Sequence, residues 1–130
     1  MDQQLSTALA AVLADVRSCG VPVPRVEDEP WGNTPGMATA MMHSSDGSAT
    51  GVSVDADDSP AAQLARVADQ VQDWVIEQLW SSGPTNWPRC PLHPSSHPMT
   101  AAVSDGAAVW TCPVTATVVC AVGSLDEARR

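Results

Sequence analysis

Between Trp87 and Thr100 the chain reads WPRCPLHPSSHPMT, one cysteine and two histidines set among four prolines. No other stretch restricts the fold as strongly. Each proline fixes φ at roughly −65° and removes a backbone donor. The segment can therefore be neither the interior of a helix nor a central strand. What remains is a stiff loop, and it presents Cys90, His93 and His97 within eight residues.

A loop of this kind suits a metal. Zinc takes four soft or borderline ligands in a tetrahedron. Cys90-Pro91-Leu92-His93 has the C-x2-H spacing of a knuckle, a tight turn that aims two ligands at one point. Proline after the cysteine stiffens the turn and lowers the entropy lost on ordering it. Cys112-Pro113 begins a second turn of the same kind, directly after a hairpin pattern.

Knuckle, hairpin, knuckle, strand is the plan of a zinc ribbon, and residues from about 87 to 123 resemble one. A complete ribbon implies a further ligand at position 115, where this chain has Thr115. His97, four residues after His93, is the natural substitute. The expected ligand set is Cys90, His93, His97 and Cys112, and the expected ion is Zn²⁺ in a structural role. Two thiolates balance its charge. Cys120, in mid-strand, reads as a buried thiol or as a replacement for one histidine. A rigid ribbon-like fold without metal is the competing reading. The whole chain also resembles small actinobacterial proteins that end in a WP-x-CP-x-H…HP…W-x-CP pattern, a resemblance that implies no activity.

The rest of the chain reads as helix, hairpin, helix. Leu5, Leu9, Val12, Leu13 and Val16 recur at helical spacing from about residue 3 to 18, and Gly20 with VPVP ends that run. RVEDEPWGNTPG reads as loop. MATAMMHSSDGSATGVSVDA reads as a hairpin turning at Asp46-Gly47, its methionines filling core gaps and His43 lying at the surface. DDSPAAQLARVADQVQDWVIEQLWSSG is the clearest helix: Ser59 caps it, Pro60 opens it and Gly83 follows it. Its stripe of Leu64, Val67, Ala68, Val71, Trp74, Val75 and Leu79 predicts a core face, with a homodimer surface as the alternative use of the helix over 60–81. MTAAVSDGAAVWT is a second Asp-Gly hairpin, TATVVCAVGSL a third strand and DEARR a polar tail.

The expected architecture is α+β: an N-terminal helix, a β-hairpin, a long amphipathic helix, then a small antiparallel zinc-ribbon-like module. The expected division is an acidic part over 1–83 and the module over 84–130. Trp80 and Trp87 flank the joint and are expected to bury it. From Pro88 to Leu125 the large apolar residues are few, so the module should need zinc, the long helix or both to fold.

Charge narrows the function. The chain carries six basic residues, all arginine, against fifteen acidic ones, for a net charge of −9. Binding of nucleic acid normally draws on clustered Lys and Arg, so it is not expected. No stretch approaches the ~20 apolar residues of a membrane span. The N-terminal run lacks a signal peptide's basic start and compact apolar core, which predicts a cytoplasmic protein whose cysteines are thiols or ligands rather than disulfides. The H-x-E…P-C-x-x-C, H-E-x-x-H, G-x-G-x-x-G, P-loop and G-x-S-x-G patterns are absent.

The favoured expectation is a non-enzymatic binding or regulatory protein with an unidentified protein partner. Two other classes stand beside it. One is a hydrolase-like metalloenzyme with an open zinc position. The other is an acidic decoy that covers a nucleic-acid-binding protein.

Overall fold

The computed structural model describes residues 1–29, 31–32, 35–80 and 85–128. It is α+β, as the sequence predicts, with two three-stranded antiparallel sheets ordered β1-β2-β3 and β4-β5-β6.

Helix α1 spans Gln3–Ser18, and the Asp2 carboxylate accepts from the Leu5 amide to cap it. Its buried face is Leu5, Ala8, Leu9, Val12, Leu13 and Val16, joined by Asp15. Gly20 follows the helix with φ of 69°, the left-handed conformation in which glycine carries no Cβ penalty.

The first sheet comprises β1 (Arg25–Glu27), β2 (Met37–His43) and β3 (Ala49–Asp55). Strand β1 lies where the sequence suggests only loop. Val26 pairs with Met42 and Arg25 with His43, so β2 recruits a segment too short to declare itself by alternation. Ala40, Met42, Val52 and Val54 form the inward face, all fully buried. His43 ends the central strand β2, half-buried, and its Nε2 lies 3.1 Å from Glu29.

Helix α2 spans Pro60–Leu79, with the Ser59 hydroxyl accepting from the Ala62 amide. Val67, Ala68, Val71, Trp74 and Val75 are buried within the chain's own core. The helix packs on α1 and touches β3, β4 and β5. Among its polar residues, three glutamines reach across to backbone. Gln70 both donates to the Ser53 carbonyl and accepts from the Ser53 amide on β3. Gln63 donates to the Asp55 carbonyl, and Gln72 to the carbonyls of Trp87 and Met99. Gly83 and the 83/84 boundary lie outside the described residues.

Trp80 departs from expectation. It is 70% exposed, while Trp87 is buried and meets Trp110 edge to face at 5.7 Å. Trp80 stands six positions after Trp74, about 240° further round the helix, and so turns off the apolar stripe.

The second sheet comprises β4 (Thr100–Ser104), β5 (Ala107–Thr111) and β6 (Val118–Ala121). Asp105 and Gly106 both have positive φ, a two-residue turn of the hairpin type. The Asp46-Gly47 turn is different: only Gly47 has positive φ, and the Ser44 amide donates to the Ser48 carbonyl across three intervening residues. One dipeptide thus serves two loop lengths. A short helix, α3 (Leu125–Ala128), replaces the start of the expected polar tail.

The two sheets share one core. Residues from α1, β2, β3, α2, β5 and α3 belong to a single buried cluster. Asp15 adds a polar tie: its buried carboxylate accepts from Trp110 Nε1 at 2.9 Å and from the amides of Gly123 and Leu125 at 2.7 and 3.0 Å. No helix among the described residues is long and apolar enough to cross a membrane.

Candidate metal centre

The proline loop folds as consecutive tight turns. The His93 amide donates to the Cys90 carbonyl, and the Ser96 amide to the His93 carbonyl. Two contacts anchor the loop's ends: Met99 N–H donates to the Pro88 carbonyl at 2.7 Å, and Arg89 bridges Pro98. Gln72 from α2 holds the carbonyls of Trp87 and Met99 on either side. Cys90, His93 and His97 are therefore displayed from a backbone pinned at both ends.

Cys112 arrives from the end of β5. Its amide donates to Thr117, and its carbonyl accepts from Ala116, which closes a turn with Ala116 at φ of 61°. The Thr115 hydroxyl is the largest influence lowering the Cys112 thiol to about 6, and the backbone amides of Thr115 and Val114 pull the same way. A thiolate is the form that ligates. The second knuckle has no candidate ligand at position 115, yet that residue acts on the Cys112 sulfur. The sequence marked Thr115 only as a departure from the ribbon pattern; a hydroxyl three residues after a Cys-Pro was the available signal.

All four residues singled out in the sequence come together. The ligand atoms of Cys90, His93, His97 and Cys112 lie within 4.8 Å of one another, a group that could hold a metal ion. Zinc–sulfur and zinc–nitrogen bonds of about 2.3 and 2.05 Å give tetrahedral edges of about 3.8 Å for S···S, 3.5 Å for S···N and 3.3 Å for N···N. Two observed edges are close to these, 3.1 Å between His97 Nε2 and His93 Nδ1 and 3.6 Å from that Nδ1 to Cys112 Sγ; the edge from Nδ1 to Cys90 Sγ is longer, 4.0 Å, so the group would tighten around an ion.

The surroundings suit ligation as well. Both sulfurs belong to fully buried residues, and the histidines are half-buried. His97 Nδ1 lies 3.0 Å from the Pro98 carbonyl. A carbonyl can only accept, so Nδ1 carries the proton and Nε2 offers its lone pair to the cluster. No carboxylate belongs to the group.

Cys120 is not part of it. That thiol is half-buried opposite Trp110, and burial, with the charge of Asp15 second, pushes it up to about 11. Burial thus disfavours the thiolate at Cys120, whereas hydrogen bonds favour it at Cys112. All four cysteines are free.

Comparisons of the chain with protein-family models, with curated proteins and with solved structures find no match.

Proposed function

We propose that this is a non-enzymatic binding or regulatory protein whose C-terminal half is a zinc-ribbon-like unit organised by one structural Zn²⁺. The observation that carries this reading is the convergence of four ligand atoms within 4.8 Å, two of them sulfurs of fully buried cysteines. Four ligands from one chain complete the tetrahedron. Catalytic zinc keeps a position open for water and usually has a general base beside it. Here the histidines fill the remaining two positions, and the cluster includes no carboxylate.

Zinc would fix the proline loop to the end of β5 and so hold together a sheet with few large side chains. It would also leave the tips of both knuckles outward. Leu92 and Val114, each two residues past a ligating cysteine, are 51% and 70% exposed. Such paired aliphatic tips favour a protein partner over a small substrate as what this face meets. Four free thiols suit a reducing compartment, in keeping with the cytoplasm.

Metal analysis of protein purified without added metal is the first test, and near-stoichiometric zinc is expected. Cobalt substitution then reads the coordination number. Intense ligand-field bands with thiolate charge transfer are expected for a closed tetrahedral S2N2 site. Weak bands of a five- or six-coordinate, water-bearing ion would favour the hydrolase reading. Absence of bound metal would sink both.

A further inference from the structure

Where α1, α2, the proline loop and α3 meet, a cavity of about 660 Å³ opens to solvent. That is within the roughly 300–1,000 Å³ typical of small-molecule sites. Its walls are mostly apolar: Val21 beyond α1, Leu79 at the end of α2, Met99, Val119 of β6 and Leu125 of α3.

One charged side chain stands among the described lining residues. Arg89 lines the cavity, is exposed, and makes no ion pair with another described residue. Among the described lining residues there is no Asp or Glu. In a chain of net charge −9, a cation among lining residues that include no acid stands out electrostatically. Asn86 and Trp87 also line the cavity. Asn86 Nδ2 donates to the Pro94 carbonyl, but Asn86 Oδ1 and Trp87 Nε1 are buried with no hydrogen-bond partner. Neither atom is open to the cavity, which leaves Arg89 as its accessible charged side chain.

From these features we propose that the cavity binds a small amphipathic carboxylate. Its hydrocarbon part lies against Leu79, Met99 and Val119. Its carboxylate lies on the Arg89 guanidinium, whose planar fork matches two oxygens. A single cation matches a singly charged head better than a phosphate. The site is separate from the metal cluster, although Arg89 and Pro91 flank Cys90 in sequence and belong to the loop that carries three of the cluster's residues.

The experiment titrates the full chain with sodium decanoate, and in parallel with decan-1-ol, decylamine and sodium acetate. Amide chemical shifts locate binding and calorimetry measures it. Decanoate should bind and shift the amides of Leu79, Arg89 and Val119. Decan-1-ol should bind about tenfold more weakly, the weight of one charge-assisted contact, and acetate not at all. Arg89→Gln should lower decanoate affinity about tenfold and leave decan-1-ol unchanged. Val119→Trp should fill the cavity and remove both.

Arg89 is exposed, so Arg89→Gln keeps the fold and decides the matter even where Val119→Trp does not fold. Equal affinity for decanoate and decan-1-ol would overturn the proposal, as would decanoate binding that Arg89→Gln leaves untouched. Preference for decylamine, or shifts confined to another surface, would do the same.

Discussion

The first and second sheets each contain three antiparallel strands, and α2 touches both. They are attached in different ways. In the first, β2 and β3 together bury Ala40, Met42, Val52, Val54 and Ser53. Aliphatic side chains packed beneath α2 are sufficient reason for it to stay folded. In the second, neither β4 nor β6 has a buried residue, and only β5 has a buried run, Ala108 to Thr111, from which Ala108 and Trp110 join the core. Beside the packing of Met99, Ala108 and Trp110 in the shared core, it has polar, directional attachments: Gln72 to the strand-flanking carbonyls, Asp15 to Trp110 and the start of α3, and the Cys/His group. A sheet short of apolar area can be held by a few directional contacts, but each then matters more.

The strongest way to break that contrast is Cys112→Ser. Structural zinc contributes about 10–16 kcal/mol in zinc-finger peptides, as much as the whole stability of an ordinary domain. Hydrogen exchange should show protection across residues 99–123 falling by more than about a hundredfold, with α1, α2 and the first sheet keeping theirs. Unchanged protection would mean that packing on α2 holds the second sheet and the metal is incidental.

Acid should act in the same direction. The Cys112 thiol sits at about 6 in the fold against an ordinary 9.0. Its contribution is therefore complete above pH 9.0 and lost as pH falls through about 6. Bound metal adds to this, because its ligands must be deprotonated. Urea midpoints at about pH 8 and about pH 5 would measure the difference.

Asp15→Ala should come next. It strands the Trp110 indole N–H and the amides of Gly123 and Leu125, and hydrogen bonds to a charged group are worth about 1.5–3 kcal/mol each. Losses in such a network do not add fully, so about 3–5 kcal/mol is expected in urea denaturation. Asp15→Asn should cost less. It should also let Cys120 ionise more readily, since the Asp15 charge is one of the two influences raising that thiol. Alkylation rates against pH would show it, and an unmoved Cys120 profile would contradict the assignment.

Two glutamines sharpen the comparison directly. Gln72→Ala removes the buried donor shared by the Trp87 and Met99 carbonyls, and about 1–3 kcal/mol is expected. Gln70→Ala frees only the Ser53 backbone at the edge of β3, and about 1 kcal/mol is expected. Exchange should quicken around β4 in the first variant and around β3 in the second. The opposite order of effects would show that the second sheet is not the more dependent on polar ties.

The smallest effect should come from Gly51→Ala. A Cβ there would lie 2.5 to 2.9 Å from the Trp31 ring, which covers the outer face of the first sheet and donates to the Ala40 carbonyl. Trp31 is partly exposed and can swing aside, so about 1 kcal/mol or less is expected. The Trp31 indole resonance should move while those of Trp87 and Trp110 stay in place.

The sequence by itself determined the elements whose signals are local. A cap, an N1 proline and a 3.6-residue stripe fixed α2, and alternation with Asp-Gly fixed two hairpins. Their turn geometries differ because loop length, set by the strand register, decides which residues take positive φ. Three ligands of the candidate site were legible because prolines hold Cys90, His93 and His97 within one short loop. Cys112 was legible because a hairpin brings its far end back beside its start.

Only the tertiary structure decided the rest. Strand β1 exists because β2 offers it a partner, and Trp80 points outward because of its angle on α2. The Thr115 hydroxyl acts on Cys112 only once the turn after β5 has closed. Asp15 carries no local signal at all: an acid on the apolar side of a helix looks like an interruption. Its partners lie 95, 108 and 110 residues away, and they become neighbours only when the second sheet docks. Backbone preferences act over a few residues, whereas satisfying a buried polar group depends on whatever the fold brings within hydrogen-bonding reach.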